Sequence, residues 1–207
     1  MKELDLLKKA WKKDNTSFEQ LSEGTLYNMI HKRSSSIVKW ILIISILEFM
    51  VLRGTDLFML LDEKYKKEMV VAHLYNFEVV ITIINFIVLT LFIALFYKNF
   101  QVINTGSSIK KLMKDILNTR KIVNYYVWYN LLLVFFSSTI AVYFEVKNNS
   151  RINVLYTKHE ELFIVVGVAI IAFSLLLFWL FYKLLYGILL NKLNKNYKEL
   201  SNIEFEE

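Results

Sequence analysis

The stretch LFIVVGVAIIAFSLLLFWLFYKL (Leu162–Leu184) is the strongest indication of the fold, because it is apolar along almost its whole length. Its one charged residue, Lys183, lies at its end. An α-helix needs about 20 apolar residues to cross the hydrocarbon core of a bilayer. Three further runs meet that length: Ile37–Leu57, Phe77–Tyr97 and Ile122–Phe144. The sequence therefore predicts an all-α fold, a four-span transmembrane helical bundle built from two helical hairpins.

The remaining sequence is polar and divides the chain into three parts. Of the 207 residues 56% are hydrophobic, and most of the charged 21% lie outside the four runs. We predict a cytoplasmic helical arm at 1–36, the bundle at 37–190 and a cytoplasmic tail at 191–207. The arm is too short for a core of its own, and it is charged throughout, so we expect the first span to be an uncleaved anchor. The chain has no cysteine, which excludes disulfides and thiolate catalysis.

Positive charge predicts the orientation. Sixteen Lys and Arg residues lie in segments 1–36, 98–121 and 185–207, and seven lie at the outer end of span one and in the two remaining loops. The positive-inside rule therefore places both termini in the cytoplasm of a bacterial inner membrane. The sequence also predicts an aromatic belt of six residues at the headgroup level of the inner ends. These residues are Trp40, Tyr97, Tyr125, Tyr126, Tyr182 and Tyr186.

Two amphipathic segments flank the spans. The arm carries an apolar stripe through Leu4, Leu7 and Trp11, and Ser22 or Thr25 is a candidate cap for a second helix. Segment 107–120 carries a similar stripe beside lysines. Both are expected to form short cytoplasmic helices. For segment 107–120 we favour a position on the lipid surface, whereas lipid and a soluble protein partner are equally favoured for the arm.

An offset of 85 residues relates two short motifs in the two halves of the chain. It relates Ile37-Val-Lys-Trp40 to Ile122-Val-Asn-Tyr125, and Phe96-Tyr-Lys98 to Phe181-Tyr-Lys183. Duplication of one helical hairpin would explain both matches, and so would coincidence in a chain this rich in Ile, Phe and Tyr.

Glu48 is the most informative single residue, because it lies well inside the first apolar run. An ionisable group at that depth costs a few kcal/mol, so we expect it to face the bundle interior. Asn85, Asn130 and Ser174 lie at similar depths in the other three runs. The four residues are interpreted either as a proton or cation site or as a polar layer that holds the helices together. Near the outer end of the first run, Arg53 and Asp56 are spaced to pair on one helical face.

Histidines are weak metal-ligand candidates in this chain. His73 and His159 precede the second and fourth runs, near Glu78 and Glu161, but no tight ligand motif such as HExxH is present. We therefore predict no metal and no cofactor, and interpret both histidines as solvated loop residues.

Two stretches carry a family resemblance. ELDLLKKAWKK (Glu3–Lys13) and SSSIVKWILIISILEF (Ser34–Phe49) resemble a group of small uncharacterised bacterial inner-membrane proteins. Similar sequences are sometimes labelled beta-carotene monooxygenase. That label implies a metal-dependent membrane oxidoreductase, and in this chain its ligands would have to include His73 and His159.

These observations leave three functional hypotheses. The first is a non-enzymatic membrane protein that tethers a soluble cytoplasmic partner through its arm, which a pull-down with and without residues 1–36 would test. The second is a small proton- or ion-coupled protein that uses Glu48. The third and least favoured is the oxidoreductase of the resemblance. The expected contacts are the lipid bilayer, a soluble protein and a second copy of the chain. Nucleic acid is not expected, because acidic residues dilute the positive charge of the arm.

Overall fold

The computed structural model describes residues 22–71, 74–105, 108–148 and 150–205, and within these ranges the chain is helical with no strand. The elements, in chain order, are α1 (Glu23–Leu61), α2 (Glu63–Val71), α3 (Tyr75–Asn104), α4 (Ile109–Asn148), α5 (Ser150–Lys158), α6 (Glu160–Tyr182), a π-helical turn (Lys183–Gly187) and α7 (Ile188–Phe205).

The four longest helical rods contain the four apolar runs. They are α1, α3, α4 and the continuous rod Glu160–Asn202 within α6, the π-helical turn and α7. Each is long enough and apolar enough to cross a membrane by length and composition. The prediction of an all-helical fold with four candidate spans is therefore confirmed at this level. The two short helices α2 and α5 lie in the connections between the first and second rods and between the third and fourth.

The rods begin well before the apolar runs do. Helix α1 begins at Glu23, where the Ser22 side chain accepts a hydrogen bond from the backbone N–H of Thr25 at 3.3 Å, which confirms Ser22 as a cap. Helix α4 begins at Ile109 and continues without a break into the third apolar run. The second helix expected in the arm thus forms the first turns of α1, and segment 109–120 forms the first turns of α4, since no break separates either from the apolar run that follows.

We call the end of the bundle that holds residues 23–36, 98–104, 109–121 and 188–205 the base, and the opposite end the far end. Side chains from four helices meet in the core of the base, where six apolar residues are almost completely buried: Ile30, Ile103, Leu112, Ile116, Leu193 and Leu200. The lipid-facing position favoured for segment 107–120 is therefore wrong. Its stripe, including Leu112 and Ile116, packs against other helices, because a helical partner covers an apolar stripe as well as lipid does.

Polar side chains tie the helices of the base together. The His31 ring bonds to the carbonyl oxygen of Ile103 at 2.6 Å, which joins α1 to α3. The Asn196 amide donates to the Ser34 hydroxyl at 2.9 Å, which joins α7 to α1. Two further bonds, from Arg120 to Asn194 and from Asn118 to Asn99, connect α4 to α7 and to α3. These bonds fix how the helices face one another at the base.

Toward the far end, the rods leave most of their apolar surface uncovered. In α6 only Gly167 and Tyr182 are buried. A Cβ at Gly167 would lie 3.6 Å from the Val142 side chain of α4, so the glycine marks the close approach of these two helices. Large side chains such as Phe173 and Leu176 are exposed. The bundle is therefore packed like a soluble protein at the base and is apolar on its outside farther along.

The packing of the base gives a direct stability prediction. Leu112→Ala should lower the free energy of unfolding by about 2–5 kcal/mol, because it opens a cavity in a core that is otherwise filled. Leu117→Ala is the matched control: Leu117 lies on the same helix, and its side chain is 37% exposed. Denaturant unfolding of both variants in detergent, followed by circular dichroism, measures the difference. Equal losses would mean that segment 109–121 does not pack into the bundle.

Candidate functional site

Glu48 lies on α1 inside the bundle, and its side chain is only 8% exposed. Both carboxylate oxygens accept hydrogen bonds. The Tyr182 hydroxyl donates to Oε1 at 2.6 Å, and the Tyr186 hydroxyl donates to Oε2 at 2.8 Å. A carboxylate that leaves water must be hydrogen-bonded or paired to be tolerated, and here two phenols supply that role.

Three tyrosines lie at Glu48, and they come from two other rods. Tyr182 ends α6 and Tyr186 lies in the π-helical turn, and their rings stack with centroids 6.1 Å apart. Tyr126 of α4 meets both rings edge-on, at 6.2 Å and 5.6 Å, with its phenol beside the Glu48 carboxylate. We call Glu48, Tyr126, Tyr182 and Tyr186 the Glu48 cluster. Phe96 of α3 packs edge-on against Tyr126 at 5.6 Å, so all four long rods meet at this point.

The π-helical turn places one of the two donors. Turns with i→i+5 bonding are rare within α-helices and are frequent at functional sites. The Lys183–Gly187 turn interrupts a rod that is otherwise α-helical from Glu160 to Phe205. Since Tyr186 belongs to this turn, a change in the hydrogen bonding of the turn would move a phenol that holds Glu48.

The cluster corrects the predicted aromatic belt. Tyr126, Tyr182 and Tyr186 are buried, with exposures of 2%, 2% and 0%, so they do not sit at a headgroup surface. Trp40 and Tyr125 are more than half exposed, as a belt requires, and so is Tyr97. The same amphipathic chemistry that suits an interface also suits a buried phenol that needs a hydrogen-bond partner. The Tyr182-x-x-x-Tyr186 spacing, which puts two phenols on one helical face, was the available signal.

The other three members of the predicted polar layer bond elsewhere. Asn85 accepts a hydrogen bond from the Tyr129 hydroxyl. Asn130 donates to the carbonyl oxygen of Tyr126 at 2.8 Å, and Ser174 donates to the carbonyl oxygen of Ile171 at 2.8 Å. None of these bonds reaches Glu48 directly. Asn130 is the nearest to the cluster, since it holds the backbone of one cluster tyrosine.

Polar side chains continue from Glu48 toward the far end. Arg53 and Asp56 form an ion pair at 2.7 Å, as their spacing predicted. The Arg53 side chain is only 12% exposed. Thr82, one turn from Asn85 on α3, is also buried. Polar groups on α1 and α3 therefore lie between the cluster and the far end.

Toward the base, the packing around Glu48 is apolar. The α1 residues Val38, Ile41 and Leu42 are buried, as are Phe96 of α3 and Val123 of α4. This layer of packed side chains separates the Glu48 cluster from the polar bonds of the base. The two sides of the cluster thus differ: one is polar and charged, and the other is mainly apolar, with the buried Ser45 hydroxyl bonded to the carbonyl oxygen of Leu42 at 2.8 Å.

The remaining predicted residues are the apolar stripe of the arm and the two histidines. Leu4, Leu7 and Trp11 lie outside the described residues, as does His73, so the arm and the two-histidine hypothesis stay predictions. His159 precedes the first residue of α6, and its side chain makes no capping bond. Within the described ranges no group of three or more His, Asp or Glu residues is placed to hold a metal ion.

A family model, Domain of unknown function (DUF8845), matches residues 24–205. The chain belongs to this family. The match covers every rod from the first turn of α1 to the end of α7, and so includes the Glu48 cluster and the base. No curated protein and no solved structure matches the chain.

Removal of one phenol tests the cluster. Tyr186→Phe should lower the free energy of unfolding by about 1–3 kcal/mol, because it leaves one carboxylate oxygen buried without its donor. Tyr125→Phe is the matched control, since the Tyr125 side chain is 65% exposed. In a Glu48→Gln background the Tyr186→Phe loss should shrink, since the charged acceptor is gone. Denaturant unfolding in detergent measures the native protein and the four variants, and equal losses for the two tyrosine variants would contradict the geometry.

Proposed function

We propose that this chain is a non-enzymatic, proton-coupled integral protein of the bacterial cytoplasmic membrane, in which Glu48 binds and releases the proton. The observation that carries the proposal is the Glu48 carboxylate, held by Tyr182 and Tyr186 within the apolar part of the bundle. Ionisable residues inside membrane spans commonly belong to proton and ion pathways. The exposed apolar surface of the far half supports insertion into lipid, since water-soluble proteins rarely expose so much.

The hydrogen bonds of the Glu48 cluster depend on whether the Glu48 carboxyl carries a proton. An ionised carboxylate accepts from both phenols. A neutral carboxyl carries a proton of its own that needs an acceptor, so the pattern of hydrogen bonds among the phenols must change when Glu48 takes up a proton. Tyr186 lies in the π-helical turn, which joins α6 to the base helix α7. Protonation of Glu48 is thereby linked to the angle and register at which two segments of one rod meet.

The surroundings of Glu48 favour proton access from the far end. Arg53, Asp56 and Glu78 lie on that side, whereas Leu42 and Val38 pack on the other. The charge distribution supports a cytoplasmic base, because segments at and beside the base carry most of the Lys and Arg residues. The proton would then enter from outside, and passage to the cytoplasm would require the apolar layer to open.

Cysteine labelling tests insertion and orientation together. The chain has no native cysteine, so single cysteines at Ser17 and Asn149 give clean reporters. A membrane-impermeant maleimide should label the Asn149→Cys protein on intact cells and the Ser17→Cys protein only after permeabilisation. The reverse pattern would place the base outside, and labelling of both on intact cells would argue against the four-span topology.

Proton flux tests the role of Glu48. In proteoliposomes with a trapped pH-sensitive dye and a potassium ionophore, the native protein should collapse a pH gradient faster than empty vesicles do. Glu48→Gln should reduce the rate to that of empty vesicles, because glutamine keeps the shape and cannot release a proton. Glu161→Gln, at an exposed position at the start of α6, is the matched control and should behave as the native protein. Equal rates for the native and Glu48→Gln proteins, or no flux from the native protein, would overturn the proposal.

A further inference from the structure

A groove of about 770 Å³ lies on the side of the base, between the first turns of α1 and the start of α7. Four of its lining residues are cations: Lys32, Arg33, Lys192 and Lys195. The groove is some distance from the Glu48 cluster along α1 and shares no residue with it. It is therefore a second concave site, with a chemistry of its own.

Two of the four cations have no partner of their own. The Arg33 guanidinium lies 3.3 Å from a Glu199 oxygen, and the Lys195 ammonium lies 4.0 Å from the other, so one carboxylate serves both. Lys32 and Lys192 are exposed, and neither makes an ion pair with any residue that the structure describes. The groove therefore carries positive charge that an anion would neutralise.

Apolar side chains also line the groove, beside the four cations and the polar Ser36 and Asn196. Trp40, which is 55% exposed, and Leu189 line the groove, together with Ile37. Ile37 is also where the first apolar run begins. If the runs span a bilayer, this end of the groove reaches the hydrocarbon, and Lys32 and Lys192 lie at the depth of the lipid headgroups. A ligand for the groove would thus be anionic at one end and apolar at the other.

We propose that the groove binds an anionic phospholipid of the leaflet on the base side. The phosphate would lie between Lys32 and Lys192, and an acyl chain would lie along Trp40 and Leu189. Basic pockets between membrane helices on the cytoplasmic side bind such headgroups. The proposal rests on the membrane insertion given under the proposed function and does not depend on proton binding by Glu48.

The full-length protein in detergent micelles provides the test. Native mass spectrometry counts the retained lipids during titration with phosphatidylglycerol or with phosphatidylcholine of the same acyl chains. The native protein should prefer phosphatidylglycerol. Lys32→Gln with Lys192→Gln should weaken phosphatidylglycerol binding about thirtyfold. The matched control is Lys64→Gln with Lys67→Gln, which removes the same charge from exposed positions on α2 and should leave the preference unchanged. Equal binding of both lipids by the native protein, or native-like binding by the groove variant, would overturn the proposal.

Two further proteins keep the result interpretable. Lys32→Arg with Lys192→Arg retains both charges and should bind phosphatidylglycerol as the native protein does, and loss of binding by this variant in a folded state would overturn the proposal. Glu48→Gln should also bind phosphatidylglycerol as the native protein does, so an absence of proton flux would not contradict the lipid site. Failure of insertion, seen as extraction from membranes by alkaline carbonate, would contradict both the proton-coupling proposal and the lipid-site proposal.

Inorganic phosphate separates a lipid from a free anion. Added in excess over phosphatidylglycerol, it should not displace the lipid, because it has no acyl chain to contact Trp40 and Leu189. Complete displacement would show that the groove recognises phosphate alone and would overturn the assignment to a lipid.

Discussion

The burial of the Glu48 carboxylate is the constraint on which the centre of the bundle depends. A carboxylate removed from water costs several kcal/mol unless hydrogen bonds replace its hydration. The helices α1 and α3 contribute no phenol to this carboxylate in the described structure; the donors come from the fourth rod, with Tyr126 of the third rod beside them. The first and last rods must therefore meet at this level, and the aromatic side chains of α3 and α4 fill the space around the contact.

On the base side of this contact, the bundle is stabilised as a soluble helical protein is. Apolar side chains from four helices interdigitate at the base, and side-chain amides and hydroxyls join α1, α3, α4 and α7. Between this contact and the far end, helix–helix contact is sparse, and close approach depends on a small residue such as Gly167. Hydrophobic burial in water drives packing only where water surrounds the protein. The proposed insertion of the far half into lipid would produce this change from dense to sparse packing along the rods.

Run length was sufficient to predict the four rods, and the cost of an ionisable group within an apolar run was sufficient to predict that Glu48 faces the bundle interior, because both follow from local composition. The partners of Glu48 were not predictable in the same way. A tyrosine at the end of an apolar run has the same sequence signature whether it faces headgroups or a buried carboxylate, and Tyr182 and Tyr186 were therefore assigned to an interface. The stripe through Leu112 and Ile116 is ambiguous for the same reason, since periodicity identifies an apolar face and does not identify what covers it. The π-helical turn has no simple sequence signal, because its formation depends on tertiary contacts.

The π-helical turn also sets the rotational phase of the fourth rod. Gly167 and Leu193 are both buried, yet in an uninterrupted α-helix residues at that separation point about 80° apart around the axis. The π-helical turn accommodates one additional residue in its loop, and that residue brings the two side chains to within about 20° of each other. One extra residue therefore turns the base half of the rod by about 100° relative to its direction in an uninterrupted α-helix, and this rotation brings Leu193 to the side of Gly167. The rotation of each half about the common axis is fixed at the same place where a phenol holds Glu48.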